Sequence, residues 1–168
     1  MAKHSAFIHE PDPEFPGWHT WQLNEGSRFN SQGLGRMLVR DEGERGARLR
    51  LLEVGMQHSN VLDAIHGGVI LALIDVGMFA AMYTVLGADA AGSVTLDLQN
   101  QFIGAGRIGE PLDVVSEIMK ETRRLVFVRG TAMQGDHLVA SFMGTLRKPS
   151  TPLPSTPPPS TPLPSEPR

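Results

Sequence analysis

The chain has 168 residues, of which 40% are hydrophobic and 20% are charged, so it has the length and composition of one domain with an ordinary apolar core. Its formal net charge of -3 gives no sign of the basic surface that nucleic-acid-binding proteins carry. The absence of cysteine excludes disulfides, thiolate metal sites and a thiol nucleophile.

The first segment, residues 1–33, has the character of a polar and irregular arm. Proline and glycine recur between positions 11 and 17, which disfavours regular structure there. We expect Trp18, Trp21 and Phe29 to anchor this arm on the folded domain. The arm lacks the continuous apolar segment of a signal peptide, so we expect an intracellular, cytoplasmic protein.

The domain is predicted to span residues 34–148 and to begin with two short strands. The segment GRMLVRDEGERGARLRLLEVG has strand-like runs on both sides of the turn-rich DEGERG. In the second run, Leu49 and Leu51 fall on one face and Arg48 and Arg50 on the other. This alternation is typical of a strand with one face on a core.

The most informative segment is IHGGVILALIDVGMFAAMYTVL, residues 65–86. It is apolar on nearly every side, which is typical of a helix buried in a core. Its one carboxylate, Asp75, is costly there unless it is paired or used. Gly67 and Gly68 allow a close approach to the helix start, where unpaired N–H donors carry the positive end of the helix dipole. An acid and an oxyanion site in one segment point to acyl-transfer chemistry.

The same apolar run approaches the length of a transmembrane helix. Asp75 would then lie in the middle of the bilayer, at about +3 kcal/mol on insertion scales. The run also lacks a basic flank, and strand-like segments follow it. We therefore predict no membrane span.

Four segments with strand periodicity follow the helix, namely SVTLDLQNQFIG, PLDVVSEIMKE, LVFVRGTAMQ and HLVASFMGTLRK. In the first of them, Thr95, Asp97 and Gln99 alternate with apolar residues and are predicted on a polar face. The short turns between the segments favour an antiparallel meander. The order of elements predicts an α+β fold in which a curved antiparallel sheet wraps one long central helix.

The last segment, residues 149–168, differs from the rest of the chain. Nine of the 13 prolines lie in it, in imperfect repeats of PSTPL. Such a composition cannot bury a core, so we expect an extended, disordered tail. Two roles stay open for it, a dispensable tail and a ligand for a proline-binding partner.

The motif around the helix start resembles that of the hotdog-fold acyl-CoA thioesterases, in particular the phenylacetate-pathway (PaaI-like) branch. The family pattern is an amide residue, HGG six positions later, and an acid nine positions after the histidine. Asn60, His66-Gly67-Gly68 and Asp75 reproduce both spacings. The resemblance covers roughly residues 34–148 and implies the hotdog fold.

The resemblance implies an enzyme that hydrolyses an acyl- or aryl-acyl-CoA to the free acid and CoA. Asp75 would act as nucleophile or as general base on water, and these two roles stay open. The Gly67 N–H would polarise the thioester carbonyl. His66 would hold the loop and orient groups. Asn60 would position the water or Asp75, or else satisfy the loop backbone.

The family also carries a serine or threonine in the strand after the helix. By alignment that residue is Thr95, with Ser93 as the second choice, and the alternative for Thr95 is a surface position. The turn KETRRL matches the hairpin that contacts CoA in relatives, and Phe79, with Met78 and Met82, is a candidate for the acyl pocket. The candidates for binding substrate and CoA are Gly68, Phe79, Phe102, Arg107, Lys120, Arg123 and Arg124.

The spacing of the two central residues has a consequence for assembly. Gly67 and Asp75 are eight residues apart, which is about 12 Å along one helix. Both must lie within about 3 Å of one reacting group, so two chains around a two-fold axis would have to share each site. The resemblance implies the same, since hotdog thioesterases work as dimers, often paired into tetramers. It implies no metal and no redox cofactor.

Three other functions are alternatives to hydrolysis. A hotdog enoyl-CoA hydratase or dehydratase would also use a histidine and an acid, in different local motifs. A non-catalytic acyl-CoA-binding or sensing module would not need the acid. A metal site made by His58, Asp63 and His66 has no known zinc spacing.

Overall fold

The computed structural model of the protein describes residues 7–150, so the tail predicted from residue 149 lies outside the described residues except for its first two. One long helix, α1, spans Gly67–Leu86. The strands are Phe7–Ile8 (β1), His19–Thr20 (β2), Gln22–Leu23 (β3), Met37–Asp41 (β4), Gly46–Leu51 (β5), Val94–Phe102 (β6), Leu112–Glu121 (β7), Leu125–Gln134 (β8) and His137–Arg147 (β9). Single helical turns occupy Asn30–Leu34, Met56–His58 and Gly87–Ala90.

The main sheet has seven antiparallel strands in the order β2-β4-β5-β7-β8-β9-β6, and β1 pairs with β3 in a small second sheet. This confirms the predicted α+β fold with a large antiparallel sheet and a central helix. The predicted meander holds for β7, β8 and β9. It was wrong for β6, which pairs with β9, because β5 already occupies the other edge of β7. The chain leaves β5, forms α1, and returns at the far edge of the sheet.

α1 packs against the sheet, most extensively on β5 and β7. Its length and hydropathy would allow a membrane span, but half of that window is buried inside the protein, as in a core helix. The helix lies close to β7 at Gly77, where a Cβ would lie 2.5 Å from Val114 Cγ1. Met78 and Met82 are fully buried, so they are core residues and not the pocket lining that was predicted.

β6 contains a bulge that changes its predicted faces. Its register with β9 shifts between Thr95, which pairs with Leu146, and Asp97, which pairs with Thr145. Simple alternation would keep Thr95, Asp97 and Gln99 on one polar face. With the extra residue, Thr95 faces α1 while Asp97 is exposed. The surface alternative for Thr95 was wrong because pairing with β9, and not local alternation, sets the bulge.

The N-terminal arm is part of the fold, since β2 lies beside β4 in the main sheet. Trp18 and Trp21 are buried, at 7% and 6% exposure, which confirms them as anchors. Phe29 is 63% exposed, so its prediction as an anchor was wrong. Its ring lies over Gly33 in its own helical turn, and it makes this local contact instead of a contact with the core.

Candidate active site

Asp75 lies in the middle of α1 and is half-buried. Its Oδ1 accepts a hydrogen bond of 2.6 Å from Thr95 Oγ1, across the gap between helix and strand. The bulge in β6 makes this contact possible by turning Thr95 inward. The pair therefore fixes a carboxylate, with one oxygen oriented by a hydroxyl, in an otherwise apolar helix.

Asp75 lies at the edge of a cavity of about 430 Å³. Cavities of this size hold drug-sized ligands in other proteins. α1 lines it with Val76, Phe79 and Tyr83, so the prediction that Phe79 lines a pocket agrees with the structure. The loop before β6 and the N-terminal arm supply the other walls. A carboxylate beside an apolar cavity can act on a group whose apolar part fills that cavity.

His66 caps the start of α1. Its Nδ1 accepts the Gly68 N–H at 2.9 Å, so this nitrogen carries no proton in the capped state. The Gly67 N–H has no acceptor within residues 7–150. The Phe102 ring covers Gly67, with Cζ 3.1 Å from where a Cβ would be. The helix start therefore offers one free donor beside an aromatic ring.

Asn60 shapes the loop before the helix. Its Oδ1 accepts N–H groups from Leu62 and Ala64 at 2.8 and 3.3 Å. The oxygen therefore satisfies the loop backbone, which was one of the two roles predicted for Asn60. The side-chain NH₂ donates to nothing in the described part of the chain, and it is the group that could still meet a ligand.

The site residues fall into two groups that one chain does not bring together. Phe102 and Arg107 lie at the Gly67 end, where Arg107 pairs with Glu110 at 3.4 Å and is 60% exposed. Thr95 and the exposed β7–β8 turn lie at the other end, because Val94 pairs with Arg147, which pairs with Leu125. The remaining predicted CoA contacts are Arg123 and Arg124 in this turn and Lys120 near the end of β7. Thr95 and Phe102 are about 20 Å apart along β6.

The geometry does not support the alternative of a metal site. Within residues 7–150, His58, Asp63 and His66 do not form a group that could hold a metal ion. His58 is buried, and its Nδ1 accepts the Gly55 N–H at 3.0 Å. Its position is explained by the turn that it closes.

Two polar side chains near the site were missed or ranked low from the sequence. Ser93, the second choice for the hydroxyl residue, lines the cavity, and its Oγ is buried without a partner in residues 7–150. Asn100 on β6 has both amide atoms buried and unpaired within the same residues. The sequence ranked Ser93 second and gave no motif for Asn100, because the burial of both side chains depends on tertiary packing.

Comparisons with known proteins agree with this geometry. Residues 62–141 match the model of the thioesterase superfamily. A candidate esterase of Pseudomonas aeruginosa is 30% identical over 116 residues, which cover 69% of this chain and 85% of that protein. Acyl-coenzyme A thioesterase 13 of Mus musculus is 31% identical over 77 residues, 45% of this chain and 53% of that protein.

Among solved structures, a conserved protein of Pseudomonas aeruginosa superposes with a TM-score of 0.63 at 29% identity, covering 72% of this chain and 94% of that one. Sequence and fold thus agree with the resemblance carried by the HGG motif. The chain therefore belongs to the thioesterase superfamily, has the hotdog fold, and is a thioester hydrolase.

Proposed function

We propose that this thioesterase hydrolyses acyl-CoA, with Asp75 as the catalytic carboxylate. The observation that carries the proposal is the hydrogen bond from Thr95 Oγ1 to Asp75 Oδ1 at the edge of an apolar cavity. A carboxylate in an apolar helix costs free energy of folding. A catalytic function explains why the chain carries one there. The name of the mouse relative supports CoA as the thiol carrier.

The reaction needs only water as co-reactant. Asp75 accepts a proton from water as the oxygen attacks the thioester carbon, or it attacks that carbon itself and water then cleaves the anhydride. In either route the C–S bond breaks, CoA leaves as the thiolate and takes up a proton, and the acid is released. Thr95 holds Oδ1, which leaves Oδ2 for the reacting atom.

The Gly67 N–H serves as donor to the carbonyl oxygen as negative charge develops on it. One such donor is worth about 3 to 4 kcal/mol of barrier. The Gly67 and Asp75 of one chain are too far apart to serve one carbonyl, at about 12 Å along the helix. Each site therefore combines Asp75 of one chain with Gly67 of a second copy.

Strand β6 supplies a way to build this composite site. It is the last strand of the sheet, and its exposed side chains include Val94, Leu96 and Phe102. Two copies of β6 paired antiparallel about a two-fold axis between Leu98 and Gln99 would set Thr95 of one chain opposite Phe102 of the other. Asp75 of the first chain would then face Gly67 of the second, because each lies beside its own end of β6.

The same pairing brings the basic residues to one side. Arg123 and Arg124 lie at the Thr95 end, and Arg107 lies at the Phe102 end. In a dimer both ends meet, so guanidinium groups from the two chains can bind the phosphates of CoA. We expect a homodimer as the smallest active unit, dimers that pair into a tetramer, and a location in the cytoplasm.

The test is a thiol-release assay with a panel of acyl-CoA substrates, comparing the wild type with Asp75→Asn. The substitution is nearly isosteric and keeps an oxygen for Thr95, so the fold should persist while most of kcat is lost. Wild-type binding of several acyl-CoA molecules without hydrolysis would instead support a sensing module. Activity of Asp75→Asn within a few-fold of the wild type would exclude Asp75 as the catalyst.

A further inference from the structure

The N-terminal arm forms one wall of the cavity beside Asp75. Phe7, Trp21 and Leu23 all line this cavity, together with Phe79 and Tyr83 of α1. We call residues 7–8 and 21–23 the N-terminal ribbon, because Phe7 and Leu23 pair across β1 and β3. These residues lie outside the segment 62–141 that matches the superfamily model. The ribbon thus adds to the site a surface from outside the matched segment.

The ribbon is held in place by contacts on both sides. Trp21 donates its backbone N–H to Met37 O at 3.0 Å, which ties it to β4. Its indole makes edge contacts with Phe7 and Tyr83, with ring centroids 4.3 and 5.6 Å apart. At 6% exposure Trp21 is part of the core. A wall this well packed can define the far limit of a pocket.

Ser93 supplies a polar group in the same cavity. Its Oγ is buried and has no partner within residues 7–150, although it lines the cavity. A buried hydroxyl without a partner is unfavourable, and a ligand atom that pairs with it removes that penalty. Ser93 lies two residues before Thr95, at most about 7 Å along the chain. An oxygen on the acyl group, several bonds from the thioester, would reach it.

We infer that the N-terminal ribbon completes the acyl pocket and that the pocket takes bulky acyl groups bearing an oxygen that hydrogen-bonds to Ser93. The inference rests on the proposed function, in which Asp75 marks the position of the thioester. Trp21 and Leu23 then set how large an acyl group fits. Ser93 distinguishes an oxygenated acyl group from a hydrocarbon one.

The size limit is tested by kcat/KM for decanoyl-CoA and acetyl-CoA in two variants. Leu23→Phe adds volume to the wall and should lower the decanoyl-to-acetyl ratio by roughly tenfold or more. Trp21→Ala removes the wall and should lower the same ratio by weakening the contact with the long chain. The matched control is Trp18→Ala, because Trp18 is equally buried in the arm but lies between the Arg40 and Arg50 guanidiniums, 4.7 Å from each.

Trp18→Ala should leave the decanoyl-to-acetyl ratio unchanged. An equal drop in Trp18→Ala would mean that the arm acts through stability alone, and an unchanged ratio in Leu23→Phe would overturn the assignment of the wall. If Trp21→Ala fails to fold, Leu23→Phe still decides. Hydrolysis of none of the substrates by the wild type would contradict the proposed function and not the pocket assignment.

The polar contact is tested with hexanoyl-CoA and 6-hydroxyhexanoyl-CoA. The wild type should favour the hydroxylated substrate, and Ser93→Ala should reduce that preference about five- to tenfold, as expected for the loss of one hydrogen bond. The rate with hexanoyl-CoA serves as the internal reference for folding. A preference that survives Ser93→Ala would overturn the role of Ser93.

Discussion

Thr95 and Asp75 are 20 residues apart in the sequence, yet Thr95 Oγ1 donates to Asp75 Oδ1 at 2.6 Å. The hydroxyl comes from the edge strand and the carboxylate from the central helix. Because one oxygen of Asp75 is held in this way, the other has a defined direction. We propose from this hydrogen bond that Thr95 positions Asp75, and its effect can be measured separately from that of Asp75.

Replacing Thr95 by valine should lower kcat by about ten- to a hundredfold, the range expected for losing a hydrogen bond to a charged group. KM should change little, because Thr95 does not line the cavity. Thr95→Ser keeps the donor and should restore most of the rate. Steady-state kinetics on one acyl-CoA checks this, and a valine variant that keeps the wild-type rate while the serine variant loses it would show that the methyl packing matters instead.

His66 should behave as a helix cap and not as a proton carrier. Its Nδ1 already accepts the Gly68 N–H, so His66→Asn, a good capping residue, should keep both the stability and most of kcat/KM. His66→Ala should cost about 1 kcal/mol of unfolding free energy. Urea denaturation and thiol-release assays measure the two effects. A loss of activity in the asparagine variant as large as that in alanine would favour proton transfer by His66.

A composite site predicts complementation between two inactive chains. Asp75→Asn removes the carboxylate, and Gly67→Val crowds the donor amide, since a Cβ there lies 3.1 Å from the Phe102 ring. Mixed and refolded together, the two chains should regain about a quarter of wild-type activity, because half of the dimers are hetero and each has one intact site.

The control for this experiment pairs Asp75→Asn with Thr95→Val. Both changes affect the same half of the site, so every site of their heterodimer is damaged and no recovery is expected. Absence of recovery in the Gly67 pair as well, despite demonstrated heterodimers, would mean that one chain supplies both groups.

The attachment of the arm should depend on pH. Arg36 donates to Asp12 at 2.8 Å, and this contact lowers the pKa of the nearly inaccessible Asp12 carboxyl below its usual 3.8. A carboxyl with a lowered folded pKa stabilises the fold above its unfolded pKa, and this stability is lost as pH falls through the folded value. The wild-type Tm should therefore fall between about pH 5 and pH 2 more steeply than that of Asp12→Asn.

Asp12→Asn suits this test because its Oδ1 can still accept the Glu14 and Phe15 N–H groups. Glu25→Gln is the control, because the Glu25–Arg28 pair is about 60% exposed on both sides and such pairs contribute little. Parallel Tm curves for the wild type and Asp12→Asn would show that the Asp12–Arg36 pair does not contribute to acid sensitivity.

The sequence predicted the elements well where local pattern decides them. The strand around LVFVRGTAMQ has the predicted bounds, and α1 begins at the HGG motif. The partner of β6 and the bulge at Thr95 could not be predicted, because both depend on which strands meet after β5 and α1 have folded.

The candidate site could likewise be predicted where its residues lie in one segment, and not where distant segments meet. The Asn60, HGG and Asp75 spacing lies within one continuous segment, so a motif can identify it. The cavity walls at Phe7 and Trp21 come from the opposite end of the chain and carry no motif. Their place in the cavity depends on the tertiary contacts of Phe7 and Trp21 with Tyr83.

The absence of a side chain at Gly77 sets the depth at which the helix lies in the sheet, since a Cβ there would be 2.5 Å from Val114 Cγ1. Gly77 is only two positions beyond Asp75. The distance of the carboxylate from β6 therefore depends on the packing of Gly77 against Val114, which takes no part in the reaction. Directed evolution of this enzyme could consequently change its rate through substitutions at core positions that contact no ligand. A library restricted to cavity-lining positions would overlook them.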